Sequence, residues 1–239
     1  MEVYIRPMRS FALYVKGQKA FKALHGTGTD LIIRTTTRDF SVHKSIVCLA
    51  SPWINACVFP SGSNDQTLDQ FDAPTSVLVL PEKAEEIKTL LEYTYHCKVA
   101  AFEHCSDRAL KSPELRIAML QCLDICLLAE KYQYQQLGNA AVQKIIVRLE
   151  ELNADDLESF AYSLYSRDQD ICVGWFRDMQ EAVVLQTGIT LSTSKETFHV
   201  GRMCLSVRYL DDVRQLFHHD PQIMVERLAK IQQVYGCFD

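Results

Sequence analysis

The chain predicts an α+β fold, in which a small, mainly three-stranded sheet with a cluster of helices is followed by an all-α extension. Two observations carry this. Strand-like runs are confined to the first third, at Leu31-Ile-Ile-Arg-Thr35, Asp39-Phe-Ser-Val-His43 and Ser76-Val-Leu-Val-Leu80, whereas helical periodicity dominates after about residue 102. No fixed-period repeat is visible, which argues against a solenoid. The expected organisation is an N-terminal segment over 1–24, an α+β domain over 25–152 and a helical extension over 153–239.

Ser10 to Leu24 shows a loose helical stripe, Leu13, Tyr14, Phe21 and Leu24, and the glycines of His25-Gly-Thr-Gly-Thr29 stop it. The first two strand-like runs read as a hairpin, although its turn, Thr36-Thr-Arg38, lacks the usual glycine or asparagine. Lys44–Ala50 turns helical. Ser51-Pro52 then supplies an N-cap and first residue for a second short helix with Trp53, Ile54 and Cys57. A polar loop over 60–75 leads to the third strand, which Pro81 stops. Ile87, Leu90, Leu91, Thr94 and Tyr95 then share a helical face.

The segment from Cys97 to Pro113 reads as irregular. Beyond it, Leu115, Ala118, Met119, Cys122, Ile125, Cys126 and Ala129 form one apolar face, and Val142, Ile145, Ile146, Leu149 and Leu152 another. Asn153 is a candidate cap for a helix bearing Leu157, Phe160, Ala161 and Leu164. Further helices are expected over Ile171–Val184, over Val200–Phe217 and from Asp220-Pro221 to Gly236.

The chain has 239 residues, 48% hydrophobic and 23% charged, the balance of an ordinary globular protein. Its net charge of −5 gives no general basis for phosphate contacts, so direct nucleic-acid binding is not expected. No run reaches the roughly 18 apolar residues of a membrane span. The start does not resemble a secretory signal, and its five basic residues before position 25 are too poor in Arg and Ser for a typical transit peptide. Nine cysteines, an odd number, read as reduced thiols, and the expected compartment is cytoplasm, nucleus or both.

Gly26-x-Gly28 follows a helix and lacks a third glycine, so it is a linker turn and no phosphate cradle. His96-Cys97 and His104-Cys105 carry zinc-type ligands at spacings unlike those of structural zinc sites, and no metal or other cofactor is expected. Cys122 and Cys126 fall on an apolar face as small hydrophobes. No nucleophile, acid or base constellation emerges, and an enzyme is not expected; metal- or thiol-dependent catalysis is the outside alternative. Lys83 and Glu86 could form a minor surface pair. Asp30 and His43, polar groups at strand ends, are expected to hydrogen-bond locally and to support the fold.

Three motifs in order carry a resemblance: Asp30-Leu-Ile-Ile with Asp39-Phe-Ser-Val-His-Lys44 and Ile46-Val-Cys-Leu-Ala-Ser-Pro-Trp53; Val77-Leu-Val-Leu-Pro81 with Ile87-x-x-Leu-Leu-x-Tyr-x-Tyr95; and Leu127-Leu-Ala-Glu-Lys-Tyr132 with Leu137 and Ala140. Over about residues 10 to 150 the chain resembles the BTB/POZ domain, in the form of small fungal-type BTB proteins with a helical C-terminal extension. Where that family often has a Tyr-Thr/Ser-Gly turn, this chain has Tyr95-His-Cys-Lys98.

The resemblance implies a protein-interaction module that homodimerises and, in many members, presents a target to a cullin-RING ubiquitin ligase. It makes Asp30, Phe40, His43, Lys44, Ser51 and Trp53 the structural signature, and Leu13, Tyr14, Phe21 and Leu24 the dimer interface. Tyr95, Val99 and Phe102 become candidate contacts to the scaffold. A BTB scaffold or transcriptional co-regulator without a ligase role is the alternative.

Overall fold

The computed structural model describes residues 29–59, 76–167, 174–193, 207–216 and 221–236. The stripe Leu13, Tyr14, Phe21 and Leu24, expected at a dimer interface, lies outside them. The chain divides into two compact units, Met1–Cys97 and Lys98–Asp239.

The first unit carries a three-stranded sheet of order β2-β1-β3, with β1 Leu31–Arg34, β2 Asp39–Val42 and β3 Ser76–Val79. β1 and β2 form the expected antiparallel hairpin, with Leu31 opposite Val42 and Arg34 opposite Asp39; β3 runs parallel to β1. The turn is built on a threonine side chain. Thr35 Oγ1 donates to the Arg38 carbonyl at 2.7 Å and accepts the Arg38 N–H at 3.0 Å, while the Thr35 N–H donates to the same carbonyl at 2.9 Å. A hydroxyl that both donates and accepts closes the loop where glycine would otherwise supply a special backbone angle.

Among the described residues of this unit are three helices: α1 Lys44–Ala50, α2 Pro52–Val58 and α3 Ala84–His96. α1 packs on both α2 and α3, and α2 reaches β3. Leu31, Ile33, Val42, Val47, Ile54, Leu80, Ile87 and Leu90 are buried, as the alternation of the strands and the helical stripes require. Ser51 caps α2 as expected, its Oγ accepting the Ile54 N–H at 3.0 Å.

At the start of α3, the Glu86 carboxylate accepts the Lys83 backbone N–H at 3.0 Å, and Lys88 lies between Glu85 and Glu92. The side-chain pair expected between Lys83 and Glu86 is thus replaced by a stronger use of the carboxylate, satisfying an orphan amide at the positive end of the helix.

Among the described residues, the second unit is helical. They are α4 Ala100–Cys105, α5 Ser112–Lys131, α6 Gln135–Ile146, a 3₁₀ turn at Leu149–Glu151, α7 Ala154–Ser166, α8 Gly174–Thr193, α9 Val207–Leu216 and α10 Pro221–Gly236. The segment expected to be irregular therefore contains α4. α8 runs nine residues past the expected end at Val184, with Thr187 bonding back to the Val183 carbonyl inside the helix.

The boundary expected at 152/153 is not a seam. Ser112 Oγ accepts the Asn153 N–H at 2.9 Å and donates to Asp156 at 2.7 Å, and Arg116 donates to the same carboxylate at 3.0 Å. These bonds tie the start of α7 to the start of α5, so residues on both sides of position 152 belong to one unit. The expected Asn153 cap is present, accepting the Asp156 N–H at 2.8 Å.

Candidate functional site

The hairpin register places Asp30 and His43 at the same end of the sheet. This is the point at which the chain turns from β2 into α1. His43 is the N-cap residue of α1, yet its side chain makes no capping bond. Asp30 takes that role from thirteen positions earlier: its Oδ1 accepts the Lys44 N–H at 2.7 Å, bringing a carboxylate to the helix's positive end.

His43 is held from α3 instead. The Tyr95 hydroxyl accepts the His43 backbone N–H at 2.9 Å and lies 3.1 Å from His43 Nδ1. One hydroxyl thus meets both the backbone and the ring of His43. Of the expected residues, the structure thus brings together Asp30 with Lys44 and His43 with Tyr95. Phe40 is half-buried under the Arg38 guanidinium, which lies 5.0 Å from its ring centre. Trp53 is half-buried on α2.

Val99 and Phe102 do not stand as exposed anchors. They are 3% and 7% exposed, inside the second unit. The reason is α4: once residues 100–105 are helical, Phe102 and Cys105 fall on one face and turn inward together, while Glu103 and His104 face solvent. Tyr95, also expected at a partner, has its hydroxyl engaged at the strand end.

One cluster carried no sequence signal. Arg148, 6% exposed, donates from Nη1 to the Cys105 carbonyl at 2.6 Å and the Asp107 carbonyl at 2.7 Å. Its Nε and Nη2 bond both oxygens of Glu151, at 2.8 and 2.5 Å. The planar fork thus holds the C-terminal end of α4 and a carboxylate at once, which lysine cannot do. The Arg148 hydrogen bond holds the Glu151 carboxyl below its ordinary range.

Cys105 and Cys122 are fully buried beside this clamp, Cys105 Sγ donating to the Lys144 carbonyl at 3.6 Å and Cys122 Sγ to that of Ala101 at 3.8 Å. Cys126, one turn along α5, is buried too, and burial pushes its thiol up. Burial also pushes the Cys48 thiol of α1 up, to about 11.

Several apolar side chains of the first unit face solvent: Leu49 is 73% exposed, Val79 68%, Val77 48% and Phe59 46%. On the sheet, Val77 and Val79 pair with Ile32 and Arg34 and share their face. Among the described residues, no group of three or more His, Cys, Asp or Glu is placed to hold a metal ion, and no helix is long and apolar enough to cross a membrane.

No family model matches the chain, and no curated protein matches it. The family resemblance therefore rests on the quoted motifs. The mixed architecture, a small three-stranded sheet with mostly helical surroundings, is compatible with the expected α+β class.

Proposed function

We propose that this chain is a non-enzymatic protein-interaction module of BTB/POZ type, acting as a homodimeric adaptor that brings a target protein to a cullin scaffold. One observation carries the reading. The polar residues of the first motif hold backbone: Asp30 caps α1, His43 is fastened to Tyr95 and Ser51 caps α2. Side chains engaged in this way shape a scaffold, and binding then falls to exposed apolar side chains such as Val77 and Val79 on the sheet or Leu49 on α1.

Two measurements test it. Sedimentation of the full chain at micromolar concentration is expected at about twice 27.3 kDa, and the immobilised chain is expected to retain a recombinant cullin amino-terminal domain. A monomer that retains no cullin at tens of micromolar overturns the proposal. A dimer that retains none leaves the scaffold or co-regulator reading and removes the ligase role.

A further inference from the structure

α5 turns one side into the second unit and the opposite side to solvent. Leu115, Ala118, Met119, Cys122 and Cys126 are fully buried. Half a helical circumference away, Pro113, Ile117, Leu120, Asp124, Leu127 and Lys131 are half-buried or exposed, Ile117 by 50%. These six residues follow one another at alternating steps of four and three. That spacing keeps a seam in line along a helix that pairs with another helix.

α7 lies alongside the seam. Ser112 bonds Asp156, Arg116 bonds Ser159 and Arg167 bonds Asp124, each α7 residue lying 43 or 44 positions after its α5 partner, so the two helices run parallel. Tyr162 of α7 is 43% exposed. The one carboxylate of the seam, Asp124, is countered within the chain by Arg167.

We propose that the seam of α5 docks on α5 of a second copy of this chain, antiparallel about a two-fold axis at the level of residue 122. The inference rests on the homodimer proposed above and gives that dimer a face, whatever residues 1–24 add to it. In this register Ile117 meets Leu127 of the other copy, Leu120 meets Asp124 and Pro113 meets Lys131. The axis makes each contact twice, as an isologous interface requires. Charge selects the direction. A parallel, in-register pair would set Asp124 against Asp124 and Lys131 against Lys131, whereas the antiparallel pair brings Lys131 beside the exposed Glu114 of the other copy at both ends. Glu114 is held at the start of α5 by the Lys111 N–H, which it accepts at 2.8 Å. The overlap from 113 to 131 is about 27 Å long at the helical rise, and its aliphatic centre is formed by Ile117, Leu120 and Leu127 from each copy.

The test uses the full chain. In sedimentation equilibrium, Ile117→Glu is expected to weaken the dimer at least tenfold, because it sets a carboxylate against the aliphatic side chains at the centre of the seam; its melting curve checks that the variant folds. Zero-length carbodiimide coupling of the wild-type dimer supplies a second readout. Glu114 and Lys131 of one copy are about 25 Å apart along α5, so an amide between them joins two copies. Trypsin is expected to release peptide 112–116 joined to 117–144 through Glu114 and Lys131, one water mass below their sum, and Ile117→Glu is expected to lose this product. A folded Ile117→Glu chain that dimerises as tightly as wild type overturns the inference and leaves the homodimer standing. So does a coupled wild-type dimer without the Glu114–Lys131 link. A wild-type chain that is monomeric at tens of micromolar overturns both. If Ile117→Glu fails to fold, the wild-type link decides.

Discussion

The two units solve the same problem, fixing where a helix begins or ends, in opposite ways. In the first, Asp30 reaches from before β1 to the first amide of α1, and Tyr95 reaches from α3 to the backbone of His43. Each is a single neutral or singly charged bond at a partly buried place. In the second, the end of α4 depends on one buried guanidinium with four polar partners. The first strategy distributes the risk over several small bonds, whereas the second concentrates it. A residue from the second unit should therefore be the costlier to lose.

Arg148→Ala tests this most severely. It leaves two carbonyls and the half-exposed Glu151 carboxylate without their donor, and the expected loss is about 2–3 kcal/mol in denaturant midpoint analysis, most of it from the two orphaned carbonyls. Arg148→Lys is expected to recover less than half, because an ammonium cannot bridge the carbonyls and both carboxylate oxygens. Equal stability of Lys and Arg at this position would show that geometry there is unimportant.

In the first unit, Asp30→Ala and Tyr95→Phe are each expected to cost about 1–2 kcal/mol, one by removing a helix cap and the other by orphaning the His43 N–H. A loss for either as large as that for Arg148→Ala would erase the contrast between the units.

The pH dependence sharpens the same comparison. The folded-state carboxyl of Glu151 titrates below its ordinary value because Arg148 hydrogen-bonds its ionised form. Its contribution is therefore fully present above the unfolded-state value near 4.5 and is lost as pH falls through the lower folded-state value. Urea midpoints measured from pH 6 to pH 3 are expected to fall less steeply in Glu151→Gln than in wild type. Identical slopes would mean that the pair contributes nothing; the partial exposure of Glu151 keeps the effect small.

The smallest expected effect has the opposite sign. Cys97 ends α3 in the left-handed region, with φ 53°, donating its N–H to the Tyr93 carbonyl at 2.8 Å. Glycine adopts this conformation without the cost a β-carbon imposes, so Cys97→Gly is expected to raise stability by about 0.5–1 kcal/mol. A melting temperature that falls would show that the thiol makes a contact worth more than the strain.

What was legible in the sequence follows from range. Alternation marked the strands, Ser51-Pro52 and Asn153 marked helix starts, and Asp30 and His43 stood out as polar residues beside apolar runs. All of these are features of a few adjacent positions. The register that brings Asp30 and His43 to one end was not legible, because nothing local distinguishes Leu31 opposite Val42 from a shifted pairing. The helix α4 was missed because six residues are too few to show a period, and with it went the inward direction of Val99 and Phe102. Arg148 gave no sign, since its partners at Cys105 and Asp107 are carbonyls more than 40 positions earlier, and every residue type has one.

That separation bears on synthesis as well as stability. Arg148 follows Cys105 by 43 positions, so at about 5–20 residues per second a ribosome adds it roughly 2–9 s after the cysteine. Throughout this interval the end of α4 lacks its clamp, while Cys122 has already been added. The end of α4 therefore cannot take its final form in the order in which it is made: its last turn waits for an arginine that is added only after all of α5 and α6.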